Sequence, residues 1–315
     1  MSKKIKAVIL SCALAAATAL SVSLSACNIK TKHPGAKITV EFNSTEYQLD
    51  YTLYRNMYPQ TVQHFIELAD AGFYNNMIVH NYSTSSDWFT GAYSYDKDET
   101  LKYADAVSTT TYAEYLEKNA KEQEYYDLAK TDDITPTVFD YASVTYDSKG
   151  KAEVDKAGRL PTLIGEFASN NHVIEKNGLT SSFGTLKMFY YSDEDDINKK
   201  AAILNSFDQV LVHDYKYNRA TSVFSMQMGA SSSYSEANYC VFAKLKNEAA
   251  EEKLRDLMEA VSDYISDNGL SSKFTTTVET VVDTLDSYSG TGGIETKFTM
   301  TYTPIIIKSV QITKY

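Results

Sequence analysis

The sequence predicts a mainly β domain with a small number of helices, and three observations predict it. Ile38-Thr39-Val40-Glu41-Phe42 and the run from Tyr47 to Leu53 alternate apolar and polar residues around Asn43-Ser44-Thr45, the pattern of a β-hairpin. Pro59-Gln60-Thr61 opens a helix whose apolar residues Val62, Phe65, Ile66 and Ala69 recur at helical spacing until Gly72 closes it, and Met77 to Tyr82 reads as the next strand. Near the end, Glu248 to Ile265 is amphipathic, with Leu254, Leu257, Met258, Val261 and Ile265 on one stripe, and the apolar run Thr303 to Val310 closes the chain as a strand.

Ahead of this domain, Lys3, Lys4 and Lys6 lead into an Ala-rich apolar stretch that ends at Leu24-Ser25-Ala26-Cys27. That ending is a lipobox. Residues 1–26 are expected to leave as a signal peptide, and Cys27 is expected to carry lipid as the new N-terminus. The small residues before Cys27 favour this over an uncleaved spanning helix. Residues 27–36, polar and holding Pro34 and Gly35, then act as a lipidated tether, and residues 37–315 form the domain. The expected location is extracytoplasmic, anchored to the cell membrane.

Loss of the three leader lysines, with no acidic residue among the first 26, moves the formal charge from −11 to −14. Phosphate backbones need the opposite sign, so nucleic acid is not an expected partner. Of three cysteines, Cys12 leaves with the leader and Cys27 takes lipid; Cys240 remains, and no intramolecular disulfide is expected. His33, His64, His80, His172 and His213 show no metal-ligand spacing, so neither metal nor cofactor is expected. Ser222 lacks a nucleophile-elbow context. The 25 tyrosines are read as strand residues at the surface.

Pro59, Thr61, Val62, Phe65, Leu68, Ala69, Gly72, Phe73, Tyr74, Ile78 and His80 reproduce the run P-x-T-V-x-x-F-x-x-L-A-x-x-G-F-Y-x-x-x-I-x-H. Three further blocks follow in order. Ile164-Gly165-Glu166-Phe167 with Asn171 and His172 leads to Gly184-Thr185-Leu186-Lys187-Met188; Asn218 to Met226 precedes Tyr239-Cys240-Val241-Phe242-Ala243-Lys244; and Thr303 to Val310 ends the chain. With these strings the chain resembles the cyclophilins. The resemblance covers about half of the chain after the leader and implies a closed eight-stranded antiparallel barrel with a helix over each end, carrying its ligand groove on the outer face. Residues 94 to 160 and 192 to 216 are read as insertions, both largely helical: Thr111 to Lys130 in the first, and in the second a helix with Asp193 to Asp196 near its N-terminus.

The resemblance also implies an activity, rotation about Xaa-Pro bonds, and the residues that would perform it. The amide barrier is ~18–20 kcal/mol, and cyclophilins lower it with an arginine that directly follows the histidine of the first block. Here that residue is Asn81. Loss of one preorganised donor costs about 10²–10³ in rate, so turnover is expected to be weak or absent. The family's F-M-x-Q-G-G corresponds to Asp87-Trp88-Phe89-Thr90-Gly91-Ala92, which makes Trp88 and Phe89 candidate pocket aromatics and puts Thr90 in place of a glutamine. Phe224, Ser225 and Met188 complete the implied substrate-binding set, with Ser225 replacing the ring that floors the proline pocket and Val223 replacing another glutamine. Tyr239 stands where the family has histidine or tyrosine. Arg219 is a candidate for a displaced guanidinium, and His80 is read as a strand residue with a satisfied hydrogen bond. The expected partners are proline-containing segments of extracytoplasmic proteins, with the membrane reached through Cys27. The alternative from these residues is a non-catalytic peptide- or protein-binding module that uses the groove or the insertions. A solute-binding transport lipoprotein is disfavoured, because the chain lacks two lobes of alternating strands and helices.

Overall fold

The computed structural model describes residues 31–97, 111–121, 124, 125, 128, 138–159, 163–170, 172, 174, 178–191, 199–204, 210–215, 219–230, 239–282 and 294–315. The leader and Cys27 lie outside the described residues.

The chain begins with β1 (Gly35–Phe42) and β2 (Thr45–Leu53). They pair antiparallel through a two-residue turn in which Asn43 and Ser44 hold φ of 47° and 64°, as a tight hairpin requires. β1 starts inside the expected tether: Gly35 and Ala36 pair with the final strand, Ala36 is buried, and Leu53 N donates to the Pro34 carbonyl at 2.8 Å. The domain therefore reaches back at least to Pro34, which corrects the boundary drawn at residue 37.

Helix α1 (Pro59–Asp70) follows, with proline at its start. Its N-cap residue Tyr58 makes no side-chain cap, and the orphan amides of Gln60 and Thr61 donate instead to the Glu166 carboxylate at 3.2 and 2.9 Å. Val62, Phe65, Ile66 and Leu68 bury one face of α1. Short strands β3 (Met77–Ile78) and β4 (Asp87–Thr90) come next, then the first insertion. Beyond it lie β7 (Leu163–Ile164), β8 (Leu186–Tyr191), β11 (Arg219–Gln227), β12 (Tyr239–Leu245), helix α3 (Glu248–Asp267) and the final strand β15 (Ile305–Lys314). Asn247 caps α3 by accepting from Ala250 N at 3.0 Å, and Glu248 and Glu251 stand in its first turn, favourable to the helix dipole.

These strands form one antiparallel sheet in the order β3-β15-β1-β2-β12-β8-β11-β4, with β7 added beside β11. The sheet curls until its edges meet. His80 N donates to Phe89 O and Phe89 N to Asn81 O, both at 2.9 Å, while Ile78 N donates to Tyr93 O at 3.0 Å. This seam joins the two ends of the eight-strand path into a barrel, the architecture that the resemblance implies, with β7 as a ninth strand beside β11. The interior is filled by side chains: Leu49, Met188, Phe224, Phe242 and Ile307 share one core with Phe65 of α1 and Leu254 and Leu257 of α3.

The insertions differ from the sequence expectation. Of the expected helix, Tyr112–Asn119 forms α2 and the described residues Glu124, Tyr125 and Leu128 are again helical, with Tyr125 N donating to Lys121 O at 3.0 Å. Thr111 and Glu114 make a capping box at the start of α2, and Ala120 turns extended and bridges to Tyr93 at its end. The first insertion then supplies β5 (Val138–Tyr146) and β6 (Ala152–Arg159), and the second supplies β9 (Lys199–Leu204) and β10 (Val210–Tyr215). All four join as one sheet in the order β10-β9-β5-β6. A helix in the second insertion is therefore a misreading. Ile203, Val210 and Val212 are β-branched, and the two runs flank a five-residue connection, so β9 and β10 pair with each other and β9 then pairs with β5 of the other insertion. Partners distant in sequence outweighed the local dipole argument.

A hairpin that the sequence reading missed follows α3: β13 (Thr275–Val282) and β14 (Ile294–Thr301). Val278, Phe298 and Met300 from this hairpin, Tyr112, Tyr115 and Leu116 from α2, and Ile78, Ala92, Tyr93 and Val223 from the barrel wall make a second core outside the barrel. Many tyrosines are interior rather than superficial. Tyr51, Tyr74, Tyr93, Tyr115 and Tyr125 are all buried; the Tyr74 hydroxyl donates to the Ser222 carbonyl (3.0 Å) and that of Tyr115 to the Ser94 carbonyl (3.1 Å), whereas the Tyr51 hydroxyl has no hydrogen-bond partner among the described residues.

Candidate functional site

The implied groove residues come from the wall made by β4, β11, β8 and β12, and strand register sorts them onto two faces. Phe224 lies opposite Thr90 on one side and Met188 on the other; Met226 lies opposite Trp88 and Leu186. This row points inward. Trp88, Phe224 and Met188 belong to the barrel core, with exposures of 2%, 0% and 0%. Phe224 packs edge-on against Phe65 and Tyr74, and Thr90 Oγ1 donates to the Ile78 carbonyl at 2.9 Å. Trp88 Nε1 donates to the Ser83 carbonyl at 2.9 Å. The substrate-binding roles expected of Thr90, Phe224 and Met188 are therefore corrected to core roles, and Trp88, though it edges a separate cavity, is turned away from the outer-face groove with them, because the two-residue period of a strand points this row inward.

The alternate row faces outward: Phe89, Ser225 and Lys187 are aligned across β4, β11 and β8, and Gln227 is opposite Asp87. This row holds a buried ion pair. Lys187 Nζ is 2.6 Å from Asp87 Oδ1, with both side chains at 0% exposure. Lys187 also donates to Gln227 Oε1 at 3.0 Å, Ser225 Oγ donates to Asp87 Oδ1 at 3.0 Å, and Ser86 Oγ donates to Asp87 Oδ2 at 3.3 Å. Ser181 bonds to Gln227 as well. The Tyr239 ring lies 5.0 Å from the Lys187 ammonium, in cation–π contact. Burial pulls the Lys187 pKa below its ordinary value, and Asp87 opposes that shift. Ser225 is thus a member of a polar network, and Tyr239, 5% exposed, covers it. The sequence reading passed over Lys187 and Asp87; the available signal was one lysine inside the apolar string Thr185-Leu186-Lys187-Met188 and one acid at the head of Asp87-Trp88-Phe89.

Asn81 sits on the seam. Its Oδ1 accepts from Thr299 N of β14 at 3.1 Å, and Tyr82 N donates to the Thr299 carbonyl at 2.8 Å. Asn81 therefore ties the β13–β14 hairpin to the seam. His80 is buried edge-on between Tyr93 and Phe298, with Nδ1 lacking a hydrogen-bond partner among the described residues, so the expectation of a satisfied hydrogen bond there is corrected. Burial without a compensating charge lowers its pKa to about 3. Phe89 is half-buried against the second core. Arg219 stands at a register position opposite Ile164 and Tyr191, at the β7 end of β11 and remote from Asn81 along the strand path. Beside Tyr239, a cavity of about 270 Å³ is lined by Tyr58, Glu166 and His172. Burial raises the Glu166 pKa despite the two amides it caps. Among the described residues, no three metal-ligating side chains converge.

Comparison with known proteins finds a family model and several solved structures. Residues 37–160 match the family model of the cyclophilin-type peptidyl-prolyl cis-trans isomerases. No curated protein sequence matches the chain. Among solved structures, a cyclophilin-type peptidyl-prolyl cis-trans isomerase of Cryptosporidium parvum is similar at 13% identity and a TM-score of 0.39, over 90% of this chain and 99% of that one. The same protein has been solved in the presence of the dipeptide Ala-Pro, with 13% identity, a TM-score of 0.39, and coverage of 89% and 99%. The Mimivirus cyclophilin is similar at 11% identity and a TM-score of 0.35, over 75% and 80% of the two chains.

Proposed function

We propose that this chain is a cyclophilin-like barrel that has given up turnover at Xaa-Pro bonds and works as a protein-binding module, held at the extracytoplasmic face of a membrane by lipid on Cys27. One observation carries the reading: the outer wall has the Lys187–Asp87 pair where a proline ring would sit, with the Tyr239 ring against the ammonium. Catalysis of amide twisting needs a donor aimed at the prolyl nitrogen and an apolar cleft that grips the ring. Asn81 spends its acceptor on Thr299 N, and Ser225 spends its donor on Asp87. The pair and its hydrogen-bond partners Ser225 and Gln227 fill this part of the wall, so a proline ring would have to displace them.

A protease-coupled isomerisation assay on a short Xaa-Pro peptide tests the reading. The expected rate is the uncatalysed one; a rate within about tenfold of an ordinary cyclophilin would overturn it, since loss of the donor alone predicts about 10²–10³. Labelling of the chain with radioactive palmitate in a bacterial host, and loss of label in Cys27→Ala, tests the anchor separately.

A further inference from the structure

A second recess lies away from the groove positions. It is a cavity of about 740 Å³ where the loop after β3, α3 and the β13–β14 hairpin meet. Asn81, Phe89, Ser225 and Tyr239 do not line it. Its floor is aromatic: Tyr82 packs at 5.4 Å on Trp88 and edge-on at 5.3 Å against Phe274. Exposures of 8%, 2% and 3% mean that these rings offer edges rather than open faces. Met258 and Ile265 of α3 add aliphatic surface, and Ser83, Ser262, Ser271 and Thr275 supply hydroxyls around it. Glu259 is the one lining residue that carries a charge at neutral pH.

We propose that this cavity binds an extended peptide segment, with a lysine or arginine set against Glu259 and an aliphatic side chain on the Tyr82–Trp88–Phe274 floor. The inference deepens the reading of the chain as a binding module and rests on it. The volume falls in the range of about 300–1,000 Å³ of ligand sites. Among the described residues no cation lines the walls, so phosphates and carboxylates are offered no charged partner there. A sugar ring stacks on exposed aromatic faces, and these rings are covered on both. Serine and threonine hydroxyls both donate and accept, which suits the alternating N–H and C=O groups of an extended backbone. Met258 lets one wall adapt to different side chains. Proline is not required, in contrast to the groove on the outer wall.

Trp88 is the only tryptophan in the chain, so its emission reports on this cavity. A random dodecapeptide phage library is selected on the immobilised full chain in detergent, and the most enriched sequence is synthesised and titrated against Trp88 fluorescence. Enrichment of lysine or arginine beside aliphatic residues is expected, with a saturable emission shift. Glu259→Gln should weaken that peptide by about 2–5-fold, the scale of an exposed ion pair. Ser262→Phe, which fills the recess from an exposed position on α3, should abolish the shift while the thermal unfolding midpoint stays in place. No enrichment, equal binding by Ser262→Phe, or displacement of the peptide by maltohexaose would overturn the proposal, the last by making this a glycan site. Isomerase turnover would instead remove the module reading itself, and the two failures are read in separate assays.

Discussion

Lys187 and Asp87 meet at 2.6 Å across the width of β11, one from β8 and one from β4, and neither side chain reaches solvent. The strand between them adds Ser225 and Gln227 as hydrogen-bond partners, so the charges are held by a network rather than by each other alone. Removing one member strands the other. Lys187→Ala is expected to cost about 3–5 kcal/mol, whereas Lys187→Met combined with Asp87→Leu should be near neutral or stabilising, because a well-packed apolar pair avoids the desolvation cost. Urea unfolding of the three proteins measures the difference.

On the proposed reading, placing the family's residues at positions 81 and 225 should not bring isomerase turnover. Asn81→Arg removes the acceptor of Thr299 N, at about 1 kcal/mol, and Ser225→Phe forces a ring into a fully buried network, at about 1–3 kcal/mol. The double variant is expected to be less stable than the parent and to show no turnover in the isomerisation assay. A measurable gain would mean that the outer wall still opens.

Stability should fall in mild acid through His80 and His64. Burial lowers their pKa values to about 3 and about 4, against an unfolded value of about 6.5. Above that value both states are neutral and the histidines contribute no slope. As the pH falls below it, the unfolded chain takes up protons that the native barrel declines, so stability drops by up to about 1.4 kcal/mol per pH unit for each histidine. The loss levels off only as pH passes the lowered native values. His80→Phe, which fits between Tyr93 and Phe298, should reduce the slope between pH 6 and 4.5 by about one proton, as read from denaturation midpoints across that range.

Glu166 caps α1 from more than a hundred residues away in sequence. Glu166→Ala leaves the amides of Gln60 and Thr61 without their acceptor in a buried place and is expected to cost about 1–3 kcal/mol. Hydrogen exchange should show the loss concentrated at the first turn of α1. Uniform loss of protection across the barrel would argue against a capping role.

The elements legible in the sequence were those whose cause is local. β1 and β2 were readable because alternation and a two-residue turn act within twenty residues, α1 because proline opens it and glycine closes it, and α3 because its apolar stripe repeats over five turns. The β13–β14 hairpin carried a comparable signal in Thr276, Val278 and Thr280 against Thr296, Phe298 and Met300. It was missed because no family block lay there to draw attention to it. The second insertion was misread because acids near Ile197 suit a helix end, while the strand that makes β9 a strand lies sixty residues earlier.

The candidate site shows the same division. By itself the sequence determined the kind of cylinder and which residues, Asn81 and Ser225 among them, stand inside the recognisable strings. Only the tertiary structure decided which face each strand residue takes, that Lys187 and Asp87 pair beside Ser225, and that α2 and the late hairpin pack on the barrel wall at Ile78, Ala92, Tyr93 and Val223. Those outcomes depend on register and on contacts between distant segments, and a one-residue shift of register would have exchanged the core row of Phe224 and Met188 with the polar row of Ser225 and Lys187.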